Sequence, residues 1–491
     1  MFCICSTKFF NEVIGMQQAV ESVISVINDF FWSNLLIILL VSIGIYFTIR
    51  SRFLQFRMLK EMVLVLKEGR AAKGGGVSPF QAFCISMAAR VGTGNITGIA
   101  IAIALGGPGA VFWMWIIAII GSVSSFVEST LAQIYKVKGS NGFRGGPAYY
   151  MEKGLNKRWM GGLFAVLITL SFGLVFNAVQ SNTITLAFEN SFGTSRLLIG
   201  IIMTVIFAII IFGGIKRIAK ISEYIVVVLA VLYIGMALFI IFKNIDQMPA
   251  VLSLIVKNAF GFEQALGGSI GATLINGVKR GLFSNEAGMG SAPNAAATAV
   301  TSHPVKQGLI QAFGVLTDTL VICTSTAFIV LLSPAYKQGL SGIELTQASL
   351  STHIGSWASG FLAIMVFLFA FSTLIGNYYY GETNIEFLNS NKVWLWSYRV
   401  GVLAMVIFGS VAQLQLVWNL ADLFMGMMVV VNLIAIFLLS KVAFSALHDY
   451  TQQKKEGKNP VFYRDALENN QNIECWERES TPSSSEKENI I

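Results

Sequence analysis

The chain has 491 residues, of which 55% are hydrophobic and only 12% charged, and its formal net charge is +8. A soluble domain carries about 25% charged residues, so the composition excludes a water-soluble fold and describes a polytopic membrane protein. Lys and Arg fall in short loops between apolar runs, the signature of membrane topology; no basic stripe with interleaved aromatics supports a nucleic-acid partner.

Residues 1–30 read as an N-terminal segment, weakly amphipathic and suited to lie along a surface. No small-residue cleavage site follows the first long apolar run, so 31–49 reads as a retained span. The cationic stretch with Arg50, Arg52, Arg57, Lys60, Lys67, Arg70 and Lys73 is amphipathic from Leu54 to Leu66, as expected of an interfacial helix. Together, 31–78 make an extra membrane helix and a cytoplasmic amphipathic segment. The glycines at 74–76 end that segment, and Pro79 suits the first turn of the next helix.

Ten further runs follow, at 79–105, 110–135, 160–188, 197–213, 219–242, 265–300, 307–333, 356–381, 394–413 and 416–441, which makes eleven. Lys and Arg are rich in 50–78, 136–158 and 214–220 and sparse in 106–109, 189–195 and 334–355. That alternation places the N-terminus outside and the C-terminus in the cytoplasm. Residues 447–491 are polar, with Ser483, Ser484 and Ser485, and read as a flexible cytoplasmic tail.

Within the second run, Val91–Gly98 reads V-G-T-G-N-I-T-G. Each glycine costs a helix about 1 kcal/mol relative to Ala. In lipid, broken backbone survives only where it faces protein or a water-filled cavity. The stretch is either a ligand site or a close helix contact through small residues. The seventh run, 265–300, is also interrupted: Gly267, Gly268, Gly271, Gly277, Gly281, Gly288, Gly290 and Pro293 fall within it. Residues 79–242 and 265–441 thus form two blocks of five spans, each opening with a broken helix and starting on opposite sides. That is the pattern of inverted-repeat secondary transporters. The expected fold is an all-α polytopic membrane protein of about eleven transmembrane helices, with a five-plus-five inverted-repeat (LeuT-like) core and one extra N-terminal helix.

The motifs G-T-G-N-I-T-G (92–98), L-G-G-P-G-A (105–110), F-R-G-G-P-A-Y-Y (143–150), F-N-A-V-Q-S-N (176–182), R-G-L-F-S-N-E-A-G-M-G-S-A-P (280–293) and F-S-T-L-I-G-N-Y-Y-Y-G-E (371–382) resemble the alanine/glycine:cation symporter family. The similarity spans about residues 30–445. It implies Na⁺-coupled import of a small neutral amino acid across a bacterial cell membrane. Na⁺ would be the coupling ion, with no cofactor.

An α-amino acid presents a carboxylate and an ammonium, and a helix break offers free N–H and C=O groups to both. At the first break, Thr93, Gly94 and Asn95 are candidate substrate contacts. On the seventh span the facing half-site is expected near Asn276 and Gly277, with the break at 276–281. Asn177 and Gln180 share a face of the fourth span; they serve either helix–helix hydrogen bonding or the site. The resemblance favours Gln180 lining the pocket, with Phe176 as an apolar wall. It also implies a Na⁺ site where Ser372 and Thr373 face backbone carbonyls at Ala89–Gly92, although both hydroxyls can instead bond their own helix. Asn377 departs from the Trp of the family pattern; being smaller and polar, it suggests a pocket that admits a larger polar side chain such as glutamine.

Arg90, Glu128, Arg280 and Asp318 are ionisable at membrane depth, which marks either ion pairs or a proton relay. The 143–150 motif reads either as a gating loop or as plain turns. An H⁺-coupled symporter, with Glu128 or Asp318 as carrier, is the alternative mechanism. An enzyme is not expected: neither H-E-x-x-H nor G-x-S-x-G occurs at membrane depth, and no G-x-x-x-x-G-K-[ST] serves a primary pump. Cys3, Cys5, Cys84, Cys323 and Cys475 lack metal-site spacing. A channel would need a continuous polar stripe, and the polar residues cluster at helix breaks instead.

Overall fold

The computed structural model describes residues 22–69, 76–139, 142–261, 269–468 and 470–478, without the side chains of 34 and 214–216. The N-terminal segment up to residue 21 with Cys3 and Cys5, the loop residues Arg70 and Lys73, Gly267 and Gly268, and the tail serines at 483–485 lie outside the described residues.

The apolar runs become helices because each backbone polar group must be satisfied within its own segment. Among the described residues, eight helices are long and apolar enough to cross a membrane, and a bent pair makes a ninth. They are α1 (Ser22–Arg50), the bent pair α3 (Pro79–Arg90) and α4 (Gly94–Gly106), α5 (Ala110–Ile134), α7 (Arg158–Phe192), α9 (Gly214–Lys243), α13 (Pro304–Leu331), α15 (Trp357–Leu388), α16 (Lys392–Val411) and α17 (Leu414–Lys455). Two shorter helices occupy expected spans: α8 (Arg196–Ile211) and α11 (Ile270–Asn285). The amphipathic segment is α2 (Leu59–Glu68), which buries Met62 and Val65 and turns Lys60 and Lys67 outward.

Pro79 and a reciprocal cap start α3: Gln81 N–H donates to Ser78 Oγ at 3.1 Å, and Ser78 N–H donates to Gln81 Oε1 at 3.2 Å. α3 and α4 meet at 49° across Val91–Thr93. Every residue from 82 to 103 is buried, so this broken helix is the centre of the bundle. The outer helices α8, α9 and α16 expose Leu198, Val228, Val231 and Val400, apolar surface that only a lipid environment tolerates at this extent.

Four elements occupy stretches read above as loops. They are a hairpin pairing Val137–Gly139 with Gly142–Arg144, α6 (Pro147–Leu155), α10 (Met248–Ala259) and α14 (Gly342–Ile354). The second break also differs from expectation. α11 runs unbroken through 276–281 because its glycines serve packing: a Cβ on Gly277 would lie 2.5 Å from the Ala110 carbonyl oxygen, and one on Gly281 would lie 3.0 Å from Ile117. The break falls at 286–291, where Glu286, Gly288 and Gly290 have φ of +56°, +78° and +82°. Pro293 then opens the short α12 (Ala292–Ala296).

Residues 447–478 are not the flexible tail that their composition predicts. α17 continues to Lys455, and the chain beyond packs back as a strap. Phe462 N–H donates to the Ser302 carbonyl at 2.9 Å, and Trp476 Nε1–H to the Gln133 carbonyl at 2.9 Å. Phe462 and Trp476 are buried edge to face. Two aromatics with an apolar seat outweigh the polar residues around them.

Candidate functional site

The first break is built by α3, α4, α7, α11, α13 and α15. At its heart the chain leaves helical geometry at Val91, and Gly92 N–H donates to Asn95 Oδ1 at 3.0 Å. Thr93 N–H donates to Gln180 Oε1 at 3.1 Å, so an amide from α7 satisfies a donor freed by the break. Thr373 on α15 donates its hydroxyl to the Ala88 carbonyl at 2.8 Å and lies 3.4 Å from the Val91 carbonyl. A Cβ on Gly92 would stand 2.3 Å from Thr373 Oγ1 and 3.0 Å from Gln180 Oε1, so any side chain there has to displace one of these two. Ala89 lies under Gly376 of α15, where an added Cβ would stand 3.0 Å from the Ala89 Cβ.

Three wide π-helical turns converge here: Gly94–Gly98, Thr169–Phe176 and Asp318–Cys323. Such turns free backbone groups and re-aim side chains, often at functional sites. The third brings Asp318 to the break. Its carboxylate accepts Asn95 Nδ2 at 2.6 Å, Ser284 Oγ at 2.8 Å and Thr319 Oγ1 at 3.3 Å. Oxygens from Asp318, Ser284 and Thr319 thus gather beside Asn95, a hard-ligand set of the kind that suits a small cation.

An aromatic stack covers the break. Phe172, Phe176, Phe283 and Trp418 follow one another at ring separations of 4.5, 4.6 and 4.6 Å. Arg280 stacks on Trp418 at 4.6 Å and grips Asp422 with two bonds of 3.0 and 2.9 Å; Lys279 reaches the same carboxylate at 2.7 Å. Gly94 admits this lid, because a Cβ there would be 3.0 Å from the Phe283 ring and 3.2 Å from Ser284 Cα.

Most of the expected residues therefore meet. Thr93, Gly94, Asn95, Phe176, Gln180, Ala89, Gly92 and Thr373 share one buried region around the break. Asn377 is buried one turn beyond Thr373, and among the described residues neither its amide oxygen nor its nitrogen has a hydrogen-bond partner. Thr93 Oγ1 is equally unpartnered. Three residues do not join. Ser372 turns its hydroxyl to the Phe369 carbonyl at 2.7 Å on its own helix. Asn276 bonds back to the Ala272 carbonyl at 2.9 Å, and Gly277 packs on α5, both within continuous helix. Phe283 and Ser284, closer to the actual break, stand where those two were expected. The signal for them was the G-M-G-S-A-P run at 288–293, whose paired glycines and proline mark the turn.

The four ionisable residues flagged in the sequence have partners of different kinds. Arg280 pairs with Asp422. Arg90 donates to the Gln311 carbonyl and Ser125 Oγ, each at 3.3 Å. Glu128 accepts the backbone N–H groups of Gly288 and Gly290.

A helical membrane protein with a buried, oxygen-rich site at a mid-span helix break has the build of a secondary carrier. The chain belongs to the sodium:alanine symporter family, whose family model matches residues 16–464. It is 74% identical to the probable sodium/glutamine symporter GlnT of Bacillus subtilis (strain 168), over 97% of this chain and 100% of that one. The amino-acid carrier protein AlsT of the same organism is 55% identical, over 94% and 99%. The sodium/alanine symporter AgcS of Methanococcus maripaludis is 37% identical, over 89% and 99%. Among solved structures, a substrate-bound Na⁺-coupled sialic acid symporter shares the fold at a TM-score of 0.52 and 14% identity, over 88% of this chain and 92% of that one. A manganese transporter of Eremococcus coleocola shares it at 0.51 and 13%, over 80% and 85%. The protein is thus a multi-pass membrane transporter of the amino-acid symporter class and not an enzyme.

Proposed function

We propose that this protein imports a small neutral amino acid, of the alanine and glycine class and including glutamine, together with Na⁺ by alternating access. All eleven expected spans would cross the cell membrane as two inverted five-span halves after an extra helix, with the N-terminus outside and the C-terminus in the cytoplasm. The observation that carries the reading is the Gly92 break, where freed backbone groups, Gln180 and Thr373 meet within one contact distance.

In this reading the α-carboxylate and ammonium bind at Thr93–Asn95 and Gln180, under Phe176 and Phe283. Na⁺ takes the carbonyls of Ala88 and Val91 with the Thr373 hydroxyl, and the Asp318, Ser284 and Thr319 oxygens supply a further cation-friendly cluster. Asn377 faces the substrate side chain. Its two unpartnered buried amide atoms support this, since leaving a buried polar group unmade costs about 1–3 kcal/mol. A glutamine carboxamide would satisfy donor and acceptor together, and the name of the GlnT relative agrees with that cargo.

A second reading, H⁺ coupling through Asp318 or Glu128, draws on their burial beside the two breaks and on a sodium/proton-dependent alanine carrier of Bacillus sp. (strain PS3) that is 39% identical. Competition for uptake into proteoliposomes among alanine, glycine, serine and glutamine tests the cargo. Glutamine should compete; failure at every concentration removes it from the substrate class.

A further inference from the structure

The 143–150 motif is not used by the binding site, yet it closes over the second helix break. We propose that Gly145–Tyr150 is the seal of that break, and that Tyr150 and Glu128 are positioning residues that hold it shut. The proposal rests on the transport reading above and adds the element that must lift before cargo leaves past the second break.

The seal fits through missing side chains. A Cβ on Gly145 would lie 2.7 Å from Ala297 Cβ and 3.0 Å from the Ala132 carbonyl oxygen. Gly146 has φ +128°, and a Cβ there would meet Asn294 Oδ1 at 2.4 Å. From the other side, a Cβ on Gly290 would meet the Pro147 ring at 2.7 Å and Phe164 at 2.8 Å. Backbone of the motif therefore lies directly on α12 and on the turn before it, with no room for an intervening side chain.

A buried hydrogen-bond chain joins the seal to the break. Tyr150 Oη donates to Asn432 Oδ1. Asn432 Nδ2 donates to Glu128 Oε2 at 2.8 Å and to the Gly288 carbonyl at 2.9 Å. Glu128 accepts Gly288 N–H at 3.3 Å and Gly290 N–H at 3.0 Å. All three side chains are fully buried. Glu128 thus fixes a turn whose left-handed glycines would otherwise leave donors orphaned, and Tyr150 ties α6 to that fixed turn through α17. At the rim, Arg144 pairs with Glu386 at 2.6 Å, part-exposed, and Asn384 of α15 bonds Asn294 Oδ1 at 3.0 Å. Beside the one hydroxyl, the glycine contacts and the part-exposed ion pair, two rings of the motif hold the seal: Tyr149 packs edge to face on Phe387 at 5.0 Å, and Tyr150 is fully buried.

The test is a reversible lock: Gly145→Cys with Ala297→Cys, in a background with the native cysteines replaced by Ser. A disulfide needs Cβ atoms about 3.8 Å apart, so the backbone gives by about 1 Å. Oxidation should lower amino-acid uptake by more than about tenfold, with recovery on reduction, while amino-acid binding stays within about threefold. Tyr150→Phe keeps the ring and should raise apparent KM about threefold or more without lowering kcat, because the sealed state loses population. A crosslinked protein that transports at the reduced rate overturns the proposal, and so does failure of the crosslink to form. If the reduced double variant is inactive, Tyr150→Phe decides alone, and an unchanged KM overturns the seal. Absence of uptake by the unsubstituted protein would instead count against the transport reading.

Discussion

Thr373 and Gly92 touch across the first break: the hydroxyl stands 2.3 Å from the point a Cβ on Gly92 would occupy, and it donates to Ala88 beside it at 2.8 Å. Gly92→Ala must displace either Thr373 or Gln180. It should abolish uptake and destabilise the fold by about 1–3 kcal/mol, the usual cost of overpacking. Thr373→Val keeps the shape and removes the oxygen. The Na⁺ concentration for half-maximal uptake should rise about tenfold or more, with at most about 1.5 kcal/mol lost in stability. Thr373→Ser should restore the wild-type Na⁺ dependence. Equal Na⁺ dependence in the Val and Ser variants would remove Thr373 from the ion site.

Asn377 supplies the second expectation. Both of its amide atoms are buried and have no partner among the described residues, a cost that a bound carboxamide would relieve. Asn377→Leu should weaken competition by glutamine about tenfold or more, while alanine uptake changes by only a few-fold. Parallel loss for both amino acids would mean that the residue shapes the pocket without reading the side chain.

Asp422 is gripped by two cations, Arg280 and Lys279, in a buried network. Removing the acid leaves two positive charges facing each other, whereas removing Arg280 leaves Lys279 to pair. Asp422→Asn should therefore cost more than Arg280→Met, about 3–5 kcal/mol for the former. Thermal unfolding in detergent of the two variants gives the order directly, and the reverse order contradicts the network. The Arg280→Met, Asp422→Leu double variant should recover part of the loss.

His303 ties pH to stability at the start of α13. Its Nδ1 accepts Val305 N–H at 3.2 Å, so the neutral ring carries its proton on Nε2 and donates to Asp449 at 3.0 Å. Burial holds its pKa below the ordinary histidine value, despite the pull of Asp449 in the other direction. As pH falls below about 6.5, the unfolded chain takes up a proton before the folded one does, so the contribution present above that pH is lost on acidification. His303→Asn keeps a capping acceptor and does not titrate. The stability advantage of the wild type over this variant should shrink between about pH 7.5 and 5. A gap independent of pH would show that folding leaves the affinity of the ring for a proton unchanged.

How far the fold could be read ahead depended on what each residue type reports. Apolar run length is a direct consequence of bilayer thickness, and helices occupy all eleven expected runs. The Gly92 break was legible because Thr93, Asn95 and Thr97 sit among its glycines. The second break was misplaced because a glycine does not announce its purpose. Gly277 and Gly281 let α5 approach, while Gly288 and Gly290 adopt positive φ, and only the structure separates the two uses. Asp422 was passed over as the partner of Arg280 because the two lie far apart in sequence, on α11 and α17. The strap escaped notice because composition weighs every residue alike, while Phe462 and Trp476 alone decide that it docks.

The most direct test is uptake of labelled alanine and glutamine by proteoliposomes under an inward Na⁺ gradient, and under choline at the same pH. Concentrative uptake in Na⁺ that collapses in choline is the expected result. Full uptake persisting in choline would contradict Na⁺ coupling and leave H⁺ as the driving ion.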